Sequence, residues 1–231
     1  MKNAKIENTV IILPVYNSER HLTPLMKSIE AYLPAKQVIA IDDGSNDNSA
    51  QICKSLEMNL ISFEINKGKG AALQAGLIKA AELGYDFAFC LDSDQQHDPA
   101  HIPAFLKKQN DTNAGVVLGF RQLTPKYMPL ARICSNKLTS FMVSITTGKW
   151  IKDSQCGYRL YRLHDLKNLK FKTSRYQFET EILLKLAVKK TIFAQVPIST
   201  IYGEETSHIS HLRDIKNFIK VILNHWFKRN S

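Results

Sequence analysis

Short apolar runs alternate with helical periods through roughly the first 120 residues, and that alternation leaves the chain few architectures to choose from. Residues 9–14, 37–41, 60–63, 87–91 and 114–118 each read as a strand, being brief, apolar and bounded by turn formers. Between them lie helical patterns. The first is capped by Ser18 and runs through Leu33, with Leu22, Leu25, Met26 and Ile29 on one stripe. Two more are expected from about residue 48 to 56 and from 70 to 83. Parallel neighbours need such crossovers, so the expected fold is α/β, a mostly parallel sheet flanked by helices. Ligands of such sheets bind outside the carboxyl ends of the strands. Polar clusters follow the strands at those ends: Asp42-Asp43-Gly44-Ser45, Asn66-Lys67-Gly68-Lys69-Gly70 and Asp92-Ser93-Asp94.

The second half is less regular. A helix is expected over 128–147, a strand over 158–163, a helix over 178–190 and a closing strand over 192–201. The tail, about 211–228, reads as an amphipathic helix. Leu212, Ile215, Phe218, Ile219, Ile222, Leu223, Trp226 and Phe227 form its apolar face, with Arg213, Lys216, Lys220, Lys228 and Arg229 beside it. That pattern suits packing on the domain and equally an interfacial helix drawn to anionic headgroups.

Totals narrow the function classes. A chain of 231 residues can bury one substantial core. The longest apolar run, 10–16, is broken by Pro14 and falls well short of the ~20 residues that span a bilayer. Cys53, Cys90, Cys134 and Cys156 lie far apart without a Cys-x-x-Cys pair, which suits a reducing cytosol better than a disulfide framework. The net charge of +10 calls for an anionic partner or serves solubility. No basic stripe interleaved with aromatics is present, so nucleic acid is not the expected one.

Asp92 and Asp94, two apart after a buried strand, can face one divalent cation, with Gln96 adding a neutral oxygen. The same residues also suit a capped turn before Pro99. Asp42 and Asp43 can accept hydrogen bonds from a base or ribose, or cap the turn through Gly44. Lys67 and Lys69, in a glycine-rich turn opening a helix, make an anion cradle or a solvated basic turn.

Taken in order, Pro14-Val15-Tyr16-Asn17, Asp42-Asp43-Gly44-Ser45, Asn66-Lys67-Gly68-Lys69-Gly70 and Asp92 through Pro99 resemble family-2 glycosyltransferases of the GT-A fold. Gly119-Phe120-Arg121, Asp153 through Arg159, Phe178-Glu179-Thr180-Glu181 and Val196-Pro197-Ile198 resemble the dolichol-phosphate mannosyl- and glucosyltransferase branch. The likeness covers roughly residues 8–223. It implies a single GT-A (Rossmann-like) domain over 1–205, with a nucleotide-sugar half to about residue 120 and an acceptor half beyond, then a loop and tail helix over 206–231.

The resemblance also implies roles. Pro14, Tyr16, Asn17, Asp42, Asp43, Lys69 and Asp92 belong to the donor site, and Asp92, Asp94 and Gln96 hold Mg²⁺ or Mn²⁺ with the donor diphosphate. Arg121, Arg132 and Ser135 grip an acceptor phosphate, although Phe120 departs from the commoner glycine-serine-arginine sequence. The implied reaction is transfer from a nucleotide-diphosphate sugar to a polyprenyl phosphate, by one in-line displacement with inversion. A phosphate acceptor needs no protein base; a hydroxyl acceptor on a glycolipid or glycan does, with Asp153 as first candidate and Glu179 and Glu181 behind it. Asp153, Asp94 and Arg121 are thus the expected catalytic residues. A loop over 202–208 closes on the donor, where His208 is a surface histidine or a further contact to the diphosphate or metal. The expected location is cytoplasmic, peripheral on the membrane through 211–229. Outside this class, a nucleotidyltransferase shares the sheet and paired aspartates, but it carries a glycine-rich loop where this chain has Pro14-Val15-Tyr16-Asn17.

Overall fold

A computed structural model describes residues 3–122, 128–199, 217–223 and 226. Seven strands form one sheet: β1 (Thr9–Val15), β2 (Val38–Asp42), β3 (Asn59–Ser62), β4 (Phe87–Cys90), β5 (Val116–Arg121), β6 (Arg159–Arg162) and β7 (Phe193–Ile198), in the order β3-β2-β1-β4-β6-β5-β7. Strand β1 pairs in parallel with β2 and with β4, Ile11 lying opposite Val38 and Phe89. Strand β6 runs antiparallel to both β4 and β5, and β5 pairs in parallel with β7. Six strands therefore end at one rim, and β6 starts there.

The helices are α1 (Glu19–Ile29), α2 (Ser49–Ser55), α3 (Lys69–Glu82), α4 (Ile102–Thr112), α5 (Leu130–Thr147), the short α6 (Leu163–Leu166) and α7 (Phe178–Val188). Strands covered on both faces must be apolar throughout, which is why β1 and β2 read as continuous runs. Ile11, Leu13 and Phe89 face Leu22 and Met26 of α1, Cys53 of α2 and Phe105 of α4. Alternate residues Val10, Ile12, Ile39 and Ile41 face Leu73 and Leu77 of α3, Val143 of α5 and Ile182 of α7.

Several expectations shift. The first helix stops at Ile29, four residues before Leu33. Ser18 stands at its N-cap without accepting a side-chain capping bond. The strand expected to end at residue 118 continues to Arg121, placing that arginine at the rim. The closing strand ends at Ile198. Helix α4 is not legible in the periodicity, since Pro99 and Pro103 crowd its start.

Of the expected tail helix, residues 217–223 are helical. Ile222 is buried and Phe218 packs with it on the α3–α7 face, while Trp226 Nε1 donates to Thr146 Oγ1 at 3.1 Å. The 202–208 loop, His208 and the rest of 211–229 lie outside the described residues. No helix among the described residues is long and apolar enough to cross a membrane.

Candidate active site

The parallel register puts the loops after β1, β2 and β4 side by side, and side chains bond to backbone across them. Asn17, at φ +49°, donates its N–H to Ser45 Oγ at 3.0 Å and accepts from the Asn46 N–H at 2.9 Å. Ser18 Oγ donates to the Tyr16 carbonyl at 3.2 Å and lies 2.9 Å from Ser93 Oγ, tying the β1 loop to the acidic one. The Tyr16 residue, 47% exposed, leaves an aromatic face on the rim beside Pro14. A base stacks on such a face without sequence-specific contacts.

Asp42 is buried and accepts the Ser45 N–H at 3.2 Å. Asp43 is buried too, and its two oxygens accept the Lys67 and Gly68 N–H groups at 2.7 and 2.9 Å. That carboxylate shapes the glycine-rich turn, where Gly68 takes φ +96° to enter α3. The turn is not an open cradle at its helix end: a Cβ on Gly70 would sit 2.4 Å from the Arg175 carbonyl oxygen. Lys69 instead points into the site, its Nζ 2.7 Å from Asp92 Oδ1 and 3.1 Å from Glu179 Oε2.

This lysine links three distant parts of the chain. Burial disfavours its charge, but the Asp92 and Glu179 carboxylates override that and raise its pKa. Burial likewise opposes ionisation of Asp92, and the Lys69 ammonium prevails, holding the carboxyl below its ordinary range. Across from Lys69, a Cβ on Gly157 would lie 2.7 Å from Asp92 Oδ2, so the absence of a side chain there makes room for the carboxylate.

Asp94 Oδ1 accepts the Gln96 N–H at 3.0 Å, closing a tight turn in which Gln95 has φ +59°. Among the described residues no three His, Cys, Asp or Glu side chains gather into a ready cation cage. Two carboxylates and an amide oxygen, with other positions left to water and phosphate, match how Mg²⁺ and Mn²⁺ are held in phosphate sites. The residues fit such an ion, with Lys69 already resting on one of them. His97, next in sequence, is a buried packing residue tilted against the Tyr158 ring, and burial pushes its pKa down to about 4.

Across β6 the rim carries an ion pair. Arg121 forms a forked pair with Asp153, Nε to Oδ2 at 2.7 Å and Nη2 to Oδ1 at 3.2 Å. The Asp153 side chain is 1% exposed and that of Arg121 10%. Burial works against the Asp153 charge, yet hydrogen bonds from Arg121 keep its pKa lowered. A sealed carboxylate whose pKa is lowered is suited to fixing a guanidinium and poorly suited to taking a proton. Arg132 and Ser135, one turn apart on α5, are both exposed. Glu179 faces Lys69, and Glu181 accepts N–H groups from Lys172 and Thr173 while pairing with Lys185.

Sequence reasoning passed over Arg159. It is fully buried and donates to the carbonyls of Ser154 at 2.7 Å, Cys156 at 2.8 Å and Glu179 at 2.7 Å, fastening the 153–157 loop to α7. The available signal was an arginine opening a strand completed by Leu160, Tyr161 and Arg162; once buried, such a charge needs several partners.

Three comparisons bear on this geometry. A family model described as "Glycosyl transferase family 2" matches residues 10–170. An uncharacterized protein of Methanocaldococcus jannaschii is 32% identical over 231 residues, covering 94% of this chain and 99% of its own. A Methanococcus voltae protein named UDP-N-acetylglucosamine–dolichyl-phosphate N-acetylglucosaminyltransferase is 32% identical over 216 residues, 84% of this chain and 86% of its own. Among solved structures, glucosyl-3-phosphoglycerate synthase from Mycobacterium tuberculosis, in complex with Mn²⁺, uridine diphosphate and glucosyl-3-phosphoglycerate, superposes with a TM-score of 0.71. It is 17% identical, over 94% of this chain and 79% of that one, a likeness of fold.

Proposed function

The chain belongs to glycosyl transferase family 2, and from that premise we propose that it transfers a sugar from a nucleotide-diphosphate donor to a polyprenyl phosphate, with inversion at the anomeric carbon. The observation that carries this reading is the placing, on one rim, of an acidic loop at one strand end and an arginine two strands away. The acidic loop follows β4, Arg121 ends β5, and only β6 lies between them. Strands two apart are separated by about 10 Å, a span that lets a sugar sit between a diphosphate on one side and an acceptor phosphate on the other. The acceptor named for the Methanococcus voltae relative is of the same kind.

In this reading Pro14, Tyr16, Asn17 and Asp42 receive the nucleoside, and Asp43 shapes the wall behind it. Asp92, Asp94 and Gln96 hold Mg²⁺ or Mn²⁺, which supplies charge neutralisation for the leaving diphosphate. Arg121, aimed by Asp153, joins Arg132 and Ser135 in fixing the acceptor phosphate. That phosphate is already anionic, so one of its oxygens attacks the anomeric carbon as the diphosphate departs, and no side chain needs to remove a proton. Arginine suits the task because its planar fork matches phosphate oxygens.

The surface beside Arg132 supports a lipid-borne acceptor. Leu130, Leu138, Phe141 and Ile145 recur along α5, each more than half exposed, and Trp150 follows at 72%. From Arg121 to Lys152 there are six arginines and lysines and no aspartate or glutamate. Apolar side chains among cations are what an anionic membrane surface attracts. In this reading the protein acts peripherally on the cytoplasmic face, with 211–229 as a second contact.

The test is a panel of labelled nucleotide sugars with Mg²⁺ or Mn²⁺, extracted polyprenyl phosphate and a lipid-free control. Label entering the organic phase only when lipid is present supports the proposal. Label found solely in water-soluble glycans overturns it.

A further inference from the structure

The ion triad of Lys69, Asp92 and Glu179 joins α3, the acidic loop and α7, and it lies where the donor's cation is expected. We propose that Lys69 is a resident counter-cation for Asp92, competing with the divalent cation and swinging toward Glu179 when Asp92 is needed. The inference rests on the reading of Asp92 and Asp94 as the donor's cation site, and it adds a built-in competitor to that site.

The distances favour such an exchange. The Lys69 ammonium touches Asp92 at 2.7 Å and Glu179 at 3.1 Å, so leaving Asp92 costs one contact and keeps the other. All three side chains retain some access, at 20%, 26% and 14% exposure, so the exchange needs no opening of the core. The aspartate is the less mobile partner, because the backbone at Gly157 lies close against Oδ2. A four-carbon lysine stem has the freedom that the aspartate lacks. Before a cation binds, Lys69 also offsets the charge of Asp92. Once a diphosphate arrives, its oxygens offer the ammonium a further anion. The bare protein should therefore bind the cation weakly, and Glu179 acts as a positioning residue that eases the release of Asp92.

The experiment titrates Mn²⁺ alone, without nucleotide or lipid, into the full chain and reads free Mn²⁺ by electron paramagnetic resonance. Lys69→Met is expected to tighten Mn²⁺ binding by on the order of tenfold, since a competing charge in contact with a ligand oxygen is gone. Glu179→Gln is expected to weaken it several-fold, because Lys69 then has only Asp92 to rest on. Adding Asp94→Asn to either background should abolish the binding, which locates the ion. A folded Lys69→Met that binds Mn²⁺ no more tightly than the parent overturns the proposal, and so does tight binding that survives Asp94→Asn. Should Lys69→Met fail to fold, Glu179→Gln decides alone: unchanged or tighter binding overturns it. No sugar transfer is read, so failure here leaves the outcome of the donor panel untouched.

Discussion

The two sides of the rim are built in contrasting ways. Around β1, β2 and β4, small polar side chains fix loops by short bonds to backbone: Asn17 to Asn46, Asp42 to Ser45, Asp43 to Lys67 and Gly68, Asp94 to Gln96. Around β5 and α5 the buried Arg121–Asp153 pair fixes the strand end, Arg159 and Ser140 bond the backbone of the 153–157 loop, and beyond lies a helix with an exposed apolar stripe. A nucleotide is a small rigid ligand whose recognition rewards fixed donors and acceptors. A lipid phosphate presents one charged group on a long apolar chain, so a fixed arginine beside a greasy surface suffices. Under the proposed function, the difference suits a donor side made for geometry and an acceptor side made for charge and partition.

The largest effect expected from breaking the donor side is at Asp94. Asp94→Asn should lower kcat by more than about a hundredfold while leaving the thermal midpoint nearly unchanged; near-parental turnover would remove the cation from this loop. On the other side, Arg121→Ala strands the buried Asp153 charge. It should cost about 3 kcal/mol of stability as well as acceptor binding, measured by urea unfolding and by acceptor KM.

Asp153→Asn then separates positioning from proton removal. Its rate should fall mainly through acceptor KM, whereas a general base would lose kcat by about 10² to 10⁴. The same variant has a pH signature. The folded Asp153 pKa is lowered, so the stability it contributes is present above about pH 4, the unfolded value, and is lost as the pH falls through the folded value. The parent should therefore lose stability more steeply than Asp153→Asn in acid unfolding. Returning to the donor side, Tyr16→Ala should raise donor KM about tenfold, the worth of one stacking contact. Smallest in its effect on the fold is the paired change Leu138→Glu with Phe141→Glu. It should leave stability within about 0.5 kcal/mol, yet reduce cosedimentation with phosphatidylglycerol vesicles; undiminished vesicle binding would remove α5 from the lipid contact.

How legible this was in the sequence depends on range. Strand β1 and the acidic loop after β4 declared themselves because burial on both faces demands an unbroken apolar run and because the polar cluster is contiguous. The reversal of β6 was not legible: nothing in Arg159–Arg162 marks its direction, which depends on connections rather than on residues. Helix α4 was obscured by prolines that its first turn tolerates, since their missing N–H groups would be unpaired there anyway. Among site residues, the motifs singled out Asp43 and Lys69, and the structure showed how each is held. Asp43 binds the backbone at 67 and 68, while Lys69 meets a glutamate 110 positions away. Such pairings arise from tertiary placement, which local pattern does not encode. Arg121 and Asp153, 32 apart, were each recognised, but as separate actors.

The most direct test of the two-sided rim supplies one labelled nucleotide sugar and compares polyprenyl phosphate with the matching polyprenol as acceptors, in the same detergent and with the same cation. The account predicts transfer to the phosphate alone, because its oxygen is the nucleophile and Arg121 is placed to hold its charge. Equal transfer to the polyprenol would contradict it, returning the reaction to a hydroxyl acceptor and a protein base.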